Sequence, residues 1–178
     1  VIISSEEMEA AFIASLYHDL GHGPFSHAIE YGLTGDISHE EISLLIMKRI
    51  NSEFNGRLEM AIKMFAGSYE RKFFHDLISS QTDMDRLDYL VRDSFYTGVV
   101  EGSVGSARII KMLNVSDDRL VIDEKGVYSI EKFLIARRFM YWQVYMHKTV
   151  LSAELLLNRI IERATKLISS GIDIHSTN

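Results

Sequence analysis

Apolar residues recur at helical spacing along almost the whole chain, a pattern that leaves little room for any architecture but a helical one. Met8, Phe12, Ile13, Leu16 and Leu20 mark a helix over about 5–20, opened by Ser4 and Glu7 at capping-box spacing. Gly21, Gly23 and Pro24 interrupt it. Pro24 is the one proline of the chain and sits where a new helix can begin, so a short helix through Tyr31 is expected next. Ser38 and Glu41 repeat the capping box ahead of Ile42, Leu45, Ile46 and Ile50, which puts His39 in the first turn of a further helix. More helices fit about 58–66, 69–79, 84–97 and 106–113, and the Gly-rich stretch 98–105 reads as a loop. Residues 120–122 and 127–129, on either side of Asp123 to Gly126, are expected to pair as one small β-hairpin near 120–129. From 130 to 168 only helix formers appear, in one long helix or two. With no repeat, low-complexity segment or boundary signal, residues 1–178 read as a single, nearly all-α domain.

Composition narrows the function classes. The chain is 47% hydrophobic and 25% charged, enough for a sizeable core. It has no cysteine, which excludes disulfides and thiolate ligands, points to the cytoplasm, and leaves any metal to His and carboxylate. Apolar runs are short and broken by charges, and the opening VIISSEEMEA lacks the marks of a signal peptide, so no membrane span is expected. A net charge of -6 argues against bulk attraction to nucleic acid. Small anionic substrates stay compatible where a few cations converge.

Four of the seven histidines, His18, His22, His27 and His39, lie between positions 18 and 39, and Asp19 follows His18 directly. Imidazole and carboxylate together suit Fe, Mn, Zn, Ni or Mg, and adjacent ligands at a helix end can face one ion once the helix unwinds at Gly21. An adjacent His and Asp is more often a plain polar pair on a helix surface. The chain carries its own comparison: His75-Asp76, in RKFFHDLISS, has no following glycine and no histidine cluster, and is assigned to structure.

The run LYHDLGHGPFSHAIE resembles the HD-domain motif of the deoxynucleoside triphosphate triphosphohydrolases, with the match closest from His18 to His27. The resemblance implies an HD-type helical bundle in which His18 and Asp19 ligate a divalent metal. The segment TDMDRLDYLVRDSFYTG is similar to the family's second signature, and on that match Asp85 is a further carboxylate ligand with Asp83 its neighbour. The family also draws a His from an upstream helix. No histidine precedes His18, so the chain is expected to lack its native N-terminal part. His22 and His27 fall where the family contacts phosphate and moves protons. His39 and Glu30 match its pair of a His and an acidic residue beside the reacting phosphate.

On the 84–97 helix, Asp85, Asp88 or Tyr89, and Arg92 or Asp93 form a polar stripe, while Leu87, Leu90 and Val91 can face the core. By itself this is a salt-bridged amphipathic helix. The resemblance adds Arg86 as a substrate contact, Tyr89 as a neighbour of the sugar ring that disfavours a 2′-hydroxyl, and Asp93 as acceptor for the 3′-hydroxyl. Farther on, Arg137, Tyr141, Tyr145 and Lys148 fall on one helical face at steps of four and three. The resemblance puts Arg137 on the triphosphate and Tyr145 against the base, with Tyr141 replacing a His common in relatives. His147-Lys148 resembles the effector-site His-Lys of regulated relatives, which implies a nucleotide effector, and the family implies a homo-oligomer. The implied activity is metal-dependent hydrolysis of a deoxynucleoside triphosphate at its α-phosphorus, giving deoxynucleoside and tripolyphosphate. Two alternatives fit the histidine cluster alone: an HD phosphodiesterase or 5′-nucleotidase acting on other nucleotides, and a helical module that binds nucleotide or metal without turnover.

Overall fold

The structure, a computed structural model, describes residues 1–25 and 37–172. Among these residues helices dominate: α1 (Ser5–Tyr17), α2 (His39–Glu53), α3 (Glu59–Phe65), α4 (Phe73–Ile78), α5 (Met84–Thr97), α6 (Ser106–Met112), α7 (Val127–Met140) and α8 (Lys148–Ser169). One two-stranded antiparallel sheet, β1 (Leu113–Ser116) with β2 (Arg119–Ile122), interrupts them, and the all-α class expected from the sequence is the class observed. The short helix expected through Tyr31 lies outside the described residues.

Both capping boxes form. The Ser4 hydroxyl accepts the Glu7 N–H while the Glu7 carboxylate accepts the Ser4 N–H, and Ser38 and Glu41 do the same at the start of α2. α1 ends at Tyr17 rather than near 20, because the chain tightens into a turn in which the Leu20 N–H bonds the Tyr17 carbonyl and the His22 N–H bonds the Asp19 carbonyl. The hairpin is displaced from its expected place. Its two central residues, Asp117 and Asp118, both have positive φ (50° and 59°), the geometry of a tight two-residue hairpin turn that short polar side chains tolerate. Residues 127–129, expected as a strand, instead open α7, because Asp123 to Gly126 winds into a single helical turn that feeds it.

Helical periodicity marked α1, but the buried side of that helix is its small side. Ala10 and Ala14 are buried against α3, where Ala61 is also buried, and the missing side-chain bulk lets the two helices approach closely. Met8, Phe12 and Leu16 line the opposite, exposed face. This first cluster continues through Met47, Met64, Phe73, Phe74 and Ile78, with both strands packed on it through Val115 and Leu120. A second cluster gathers Leu87, Leu90, Ile109, Phe133, Ala136 and Met140 from α5, α6 and α7. Val91, expected to face the core beside Leu87 and Leu90, is exposed.

The stretch from 130 onward resolves into two helices. α7 passes into one π-helical turn, Tyr141–Tyr145, and α8 starts afresh after the His147 imidazole caps it by accepting the Thr149 N–H. This break removes Lys148 from the single helical face expected for Arg137, Tyr141 and Tyr145. No helix among the described residues is long and apolar enough to cross a membrane.

Candidate metal centre and cleft

The unwound end of α1 presents His18 and Asp19 toward the first turn of α5. Nδ1 of His18 lies 2.7 Å from the Ser15 carbonyl oxygen, which can only accept, so Nδ1 carries the proton and Nε2 of the neutral ring carries the lone pair. That Nε2 is buried and has no hydrogen-bond partner. Asp19 Oδ1 stands 3.1 Å from it, and Asp85 brings a third donor atom, all within 4.8 Å of one another. A nitrogen lone pair facing two carboxylates is repulsive unless a cation sits among them, and one imidazole with two carboxylates is an ordinary donor set for a hard or borderline divalent ion. The residues present therefore fit a metal, and the Ser15 carbonyl supplies the outer hydrogen bond that fixes the tautomer of a ligating His. Burial pushes the Asp85 carboxyl above its usual range, and the neighbouring Asp19 and Asp83 carboxylates add to it.

Asp83 holds this end of α5 in place. Buried at the N-cap, it accepts the Arg86 and Ser80 N–H groups and pairs with the Arg86 guanidinium, which also donates to the Ser80 carbonyl. Arg86, expected as a substrate contact, thus lines the cleft already bound to Asp83. From the other side come His22 and His39, whose rings stack with centroids 4.0 Å apart and planes 17° apart. With Asp19 they form a second trio whose candidate ligand atoms lie close together. Stacked rings hold their in-plane lone pairs in two parallel planes, a poor match to one shared ion, whereas N–H groups on the same two rings would suit neighbouring oxygens of an anion. His27 and Glu30 fall outside the described residues.

A cleft of about 740 Å³ joins these parts. His18, Asp19, His22 and His39 form one wall, Asp85, Arg86 and Tyr89 the floor, and Tyr141 and Tyr145 the other wall, extended by Val150 and Glu154 of α8. The π turn accounts for the tyrosine wall, since its wider winding sets the Tyr141 and Tyr145 rings edge to face at 5.2 Å, with Tyr145 against Tyr89 at 6.0 Å. Burial, followed by the neighbouring Tyr141, raises the Tyr89 phenol above its ordinary value. Asp93 and Arg137 do not line the cleft directly. Asp93 Oδ2 accepts the Tyr145 O–H at 2.6 Å; Arg137 donates to Gln81 and lies 5.7 Å from the centroid of the Tyr141 ring.

His75-Asp76 takes no part in the cleft. Asp76 is buried and accepts a two-pronged contact from Arg119 together with the Leu120 N–H, which fastens β2 to α4. Although burial pushes the Asp76 carboxyl up, these donors outweigh it and hold the group below its ordinary value. Sequence reasoning missed Ser43, which is fully buried in α2 and joined to both sides of the α1 turn. Its one signal was a lone hydroxyl in the apolar run ISLLIM.

The chain is similar over most of its length to several known proteins. A phosphohydrolase from Bacteroides thetaiotaomicron superposes with a TM-score of 0.94 at 56% identity, over 99% of this chain and 44% of that one. An uncharacterised protein of Bacillus subtilis is 38% identical over 93% of this chain and 39% of its own length. A protein of Dictyostelium discoideum named as a homologue of the deoxynucleoside triphosphate triphosphohydrolase SAMHD1 is 30% identical over 87% of this chain and 33% of its own. The chain thus spans less than half the length of each of these relatives. The HD domain matches residues 2–93, and the HD associated region matches 104–176. The His-Asp pair at the end of α1, the second aspartate on α5 and a family match over more than half of its residues place this chain in the HD domain family.

Proposed function

We propose that this chain, folded as one unit, carries the catalytic centre of a divalent-metal-dependent phosphohydrolase that converts deoxynucleoside triphosphates into deoxynucleoside and tripolyphosphate. The observation that carries the reading is the close approach of the buried Nε2 of His18 to the carboxylates of Asp19 and Asp85. His18, Asp19 and Asp85 would hold Fe, Mn, Zn, Ni or Mg, and such an ion supplies polarisation of a phosphoryl oxygen and acidification of water. One relative supports the reaction class by its name, phosphohydrolase, and another supports the substrate class as a homologue of a deoxynucleoside triphosphate triphosphohydrolase.

The chain's own residues then divide the work. His22 and His39, side by side on the wall, balance phosphate charge when protonated and can pass a proton to the leaving 5′-oxygen. His27, and Glu30 as the partner of His39, keep the phosphate and proton roles that the family resemblance implies. Arg86 adds charge at the floor, and Arg137 does so beside Tyr141 at the triphosphate end. Tyr89 packs against the sugar where a 2′-hydroxyl would clash. Tyr145 faces the base and holds Asp93 for the 3′-hydroxyl. A homo-oligomer regulated by a nucleotide near His147 and Lys148 completes the reading.

The test is to resolve products chromatographically after incubation with Mn²⁺ and a panel of deoxynucleoside triphosphates, ribonucleoside triphosphates, nucleoside monophosphates and cyclic dinucleotides. Deoxynucleoside with intact tripolyphosphate is expected. Nucleoside diphosphate with inorganic phosphate would refute the position of cleavage, and turnover confined to monophosphates or cyclic dinucleotides would refute the substrate.

A further inference from the structure

We propose that Ser43 is a positioning residue for the metal ligands, its hydroxyl fixing the unwound α1 terminus so that His18 and Asp19 meet Asp85. The proposal rests on the reading that these three residues hold a divalent ion. Ser43 lies in α2, one turn beyond the Ser38 cap, and is fully buried. A serine inside a helix commonly bonds back to a carbonyl of its own preceding turn. This one reaches across instead, donating to the His18 carbonyl at 2.6 Å and accepting the Gly21 N–H at 2.8 Å.

Those two backbone groups bracket the ligand pair. α1 stops at Tyr17, so the His18 carbonyl belongs to the set that a helix end leaves without an intrahelical donor, and the Gly21 N–H belongs to the turn that follows. One hydroxyl satisfies both. Gly21 allows no slack in the arrangement, because a Cβ built there would stand 2.0 Å from the His39 carbonyl oxygen and 2.6 Å from the Ser43 nitrogen. The α1 turn is therefore pressed backbone to backbone against the first turn of α2 and tied at that point by Ser43. Removing the oxygen leaves a buried N–H and a half-buried carbonyl unpaired, and the turn must shift to recover partners. That shift carries His18 and Asp19 away from Asp85, which is anchored independently through Asp83 on α5.

A purely structural role would lower stability without touching metal affinity, so the two readouts are measured together. Mn²⁺ is titrated into the wild-type protein and into Ser43→Ala, Ser43→Thr and Met47→Ala, following free ion by electron paramagnetic resonance and Tm by circular dichroism. Ser43→Ala is expected to bind Mn²⁺ roughly tenfold or more weakly, the loss typical of removing an outer hydrogen-bond partner. Ser43→Thr, which keeps the hydroxyl, should stay near wild type. Met47 is buried one turn farther along α2 with no polar tie to the ligands, so Met47→Ala should lower Tm at least as much and keep its Mn²⁺ affinity. Should Ser43→Ala fail to fold, Ser43→Cys replaces it under the same criteria, since a thiol keeps the volume and hydrogen-bonds only weakly. Wild-type affinity in Ser43→Ala would overturn the proposal, as would an equal loss in Met47→Ala. A wild-type protein that takes up no Mn²⁺ overturns the metal reading as well, whereas a wild type that binds beside an unaffected Ser43→Ala overturns this inference alone.

Discussion

The two nitrogens of His18 do opposite jobs, and what separates the two His-Asp pairs of this chain is what each carboxylate meets. At His18 the backbone takes the proton on Nδ1 and leaves Nε2 buried among carboxylates. At the second pair, His75 Nδ1 lies 3.2 Å from the Met64 carbonyl, and the carboxylate is spent on Arg119 and Leu120. Asp85→Ala is accordingly expected to abolish bound metal and turnover while leaving the fold intact. Asp76→Ala should keep the metal and lose about 1–3 kcal/mol of stability, because the Leu120 N–H is left unpaired and the β2 anchor goes. Elemental analysis beside chemical denaturation measures both, and equal metal loss in the two variants would reduce the site to an effect of stability. The sequence distinguished the pairs through their neighbours, a glycine and more histidines in one case and neither in the other. It did not reveal what occupies Asp76, since Arg119 lies 43 residues away and no local pattern couples them.

Elements were legible wherever a local rule decides them. Capping boxes, the glycine that ends α5 in the left-handed conformation at φ 72°, and the α5 boundaries all follow from residues within a turn of each other. The hairpin was misplaced because Asp-Asp is a weaker turn signal than a stretch containing glycine, although both aspartates adopt positive φ here. The buried face of α1 was hidden because close packing selected alanines while larger apolar residues were left outside. That face also carries Glu7, whose carboxylate joins the Ser4 cap, Arg71 and the Tyr69 hydroxyl. The Ser4 N–H first, and then Arg71 and Tyr69 against the opposing effect of burial, hold the Glu7 carboxyl below its ordinary 4.5. A carboxyl lowered on folding contributes stability that is fully present above its ordinary value and is lost as pH falls through the lowered one. Asp76 acts in the same direction. Thermal stability should therefore decline below about pH 5. Glu7→Gln should be less stable at pH 7 by about 1–3 kcal/mol and show a shallower acid decline. An unchanged slope in Glu7→Gln would remove Glu7 from the account.

At the scale of the whole molecule, the cleft takes its lining from the end of α1, from α2, α4 and α5, from the π turn and from α8, so no single segment of sequence describes it. Residues 2–93 bring the histidines and aspartates, while Tyr141 and Tyr145 come from the HD associated region, 104–176. The 2.6 Å bond from Tyr145 O–H to Asp93 spans the two regions across 52 positions, joining the end of the π turn to the middle of α5. Burial, and then the Asp93 bond, push the Tyr145 phenol far above its ordinary 10.0, so it stays a proton donor at any physiological pH. A carboxylate has two oxygens, and with Oδ2 taken by Tyr145, Oδ1 is the one that the proposed function gives to the 3′-hydroxyl. Tyr145→Phe keeps the ring that packs on Tyr89 and Tyr141 and removes only the donor. The expected result is unchanged metal content and nearly unchanged kcat, with apparent substrate binding weakened by about 1–2 kcal/mol, roughly 5–30-fold in KM. A 3′-deoxy analogue should be much less affected than the parent deoxynucleoside triphosphate, because it has no hydroxyl for Asp93 to accept. Steady-state kinetics on the matched pair, with metal occupancy verified, decides the point. If the two substrates lose equally and Tm falls with them, the Tyr145–Asp93 bond is a tie between the two halves of the molecule and takes no part in recognising the sugar.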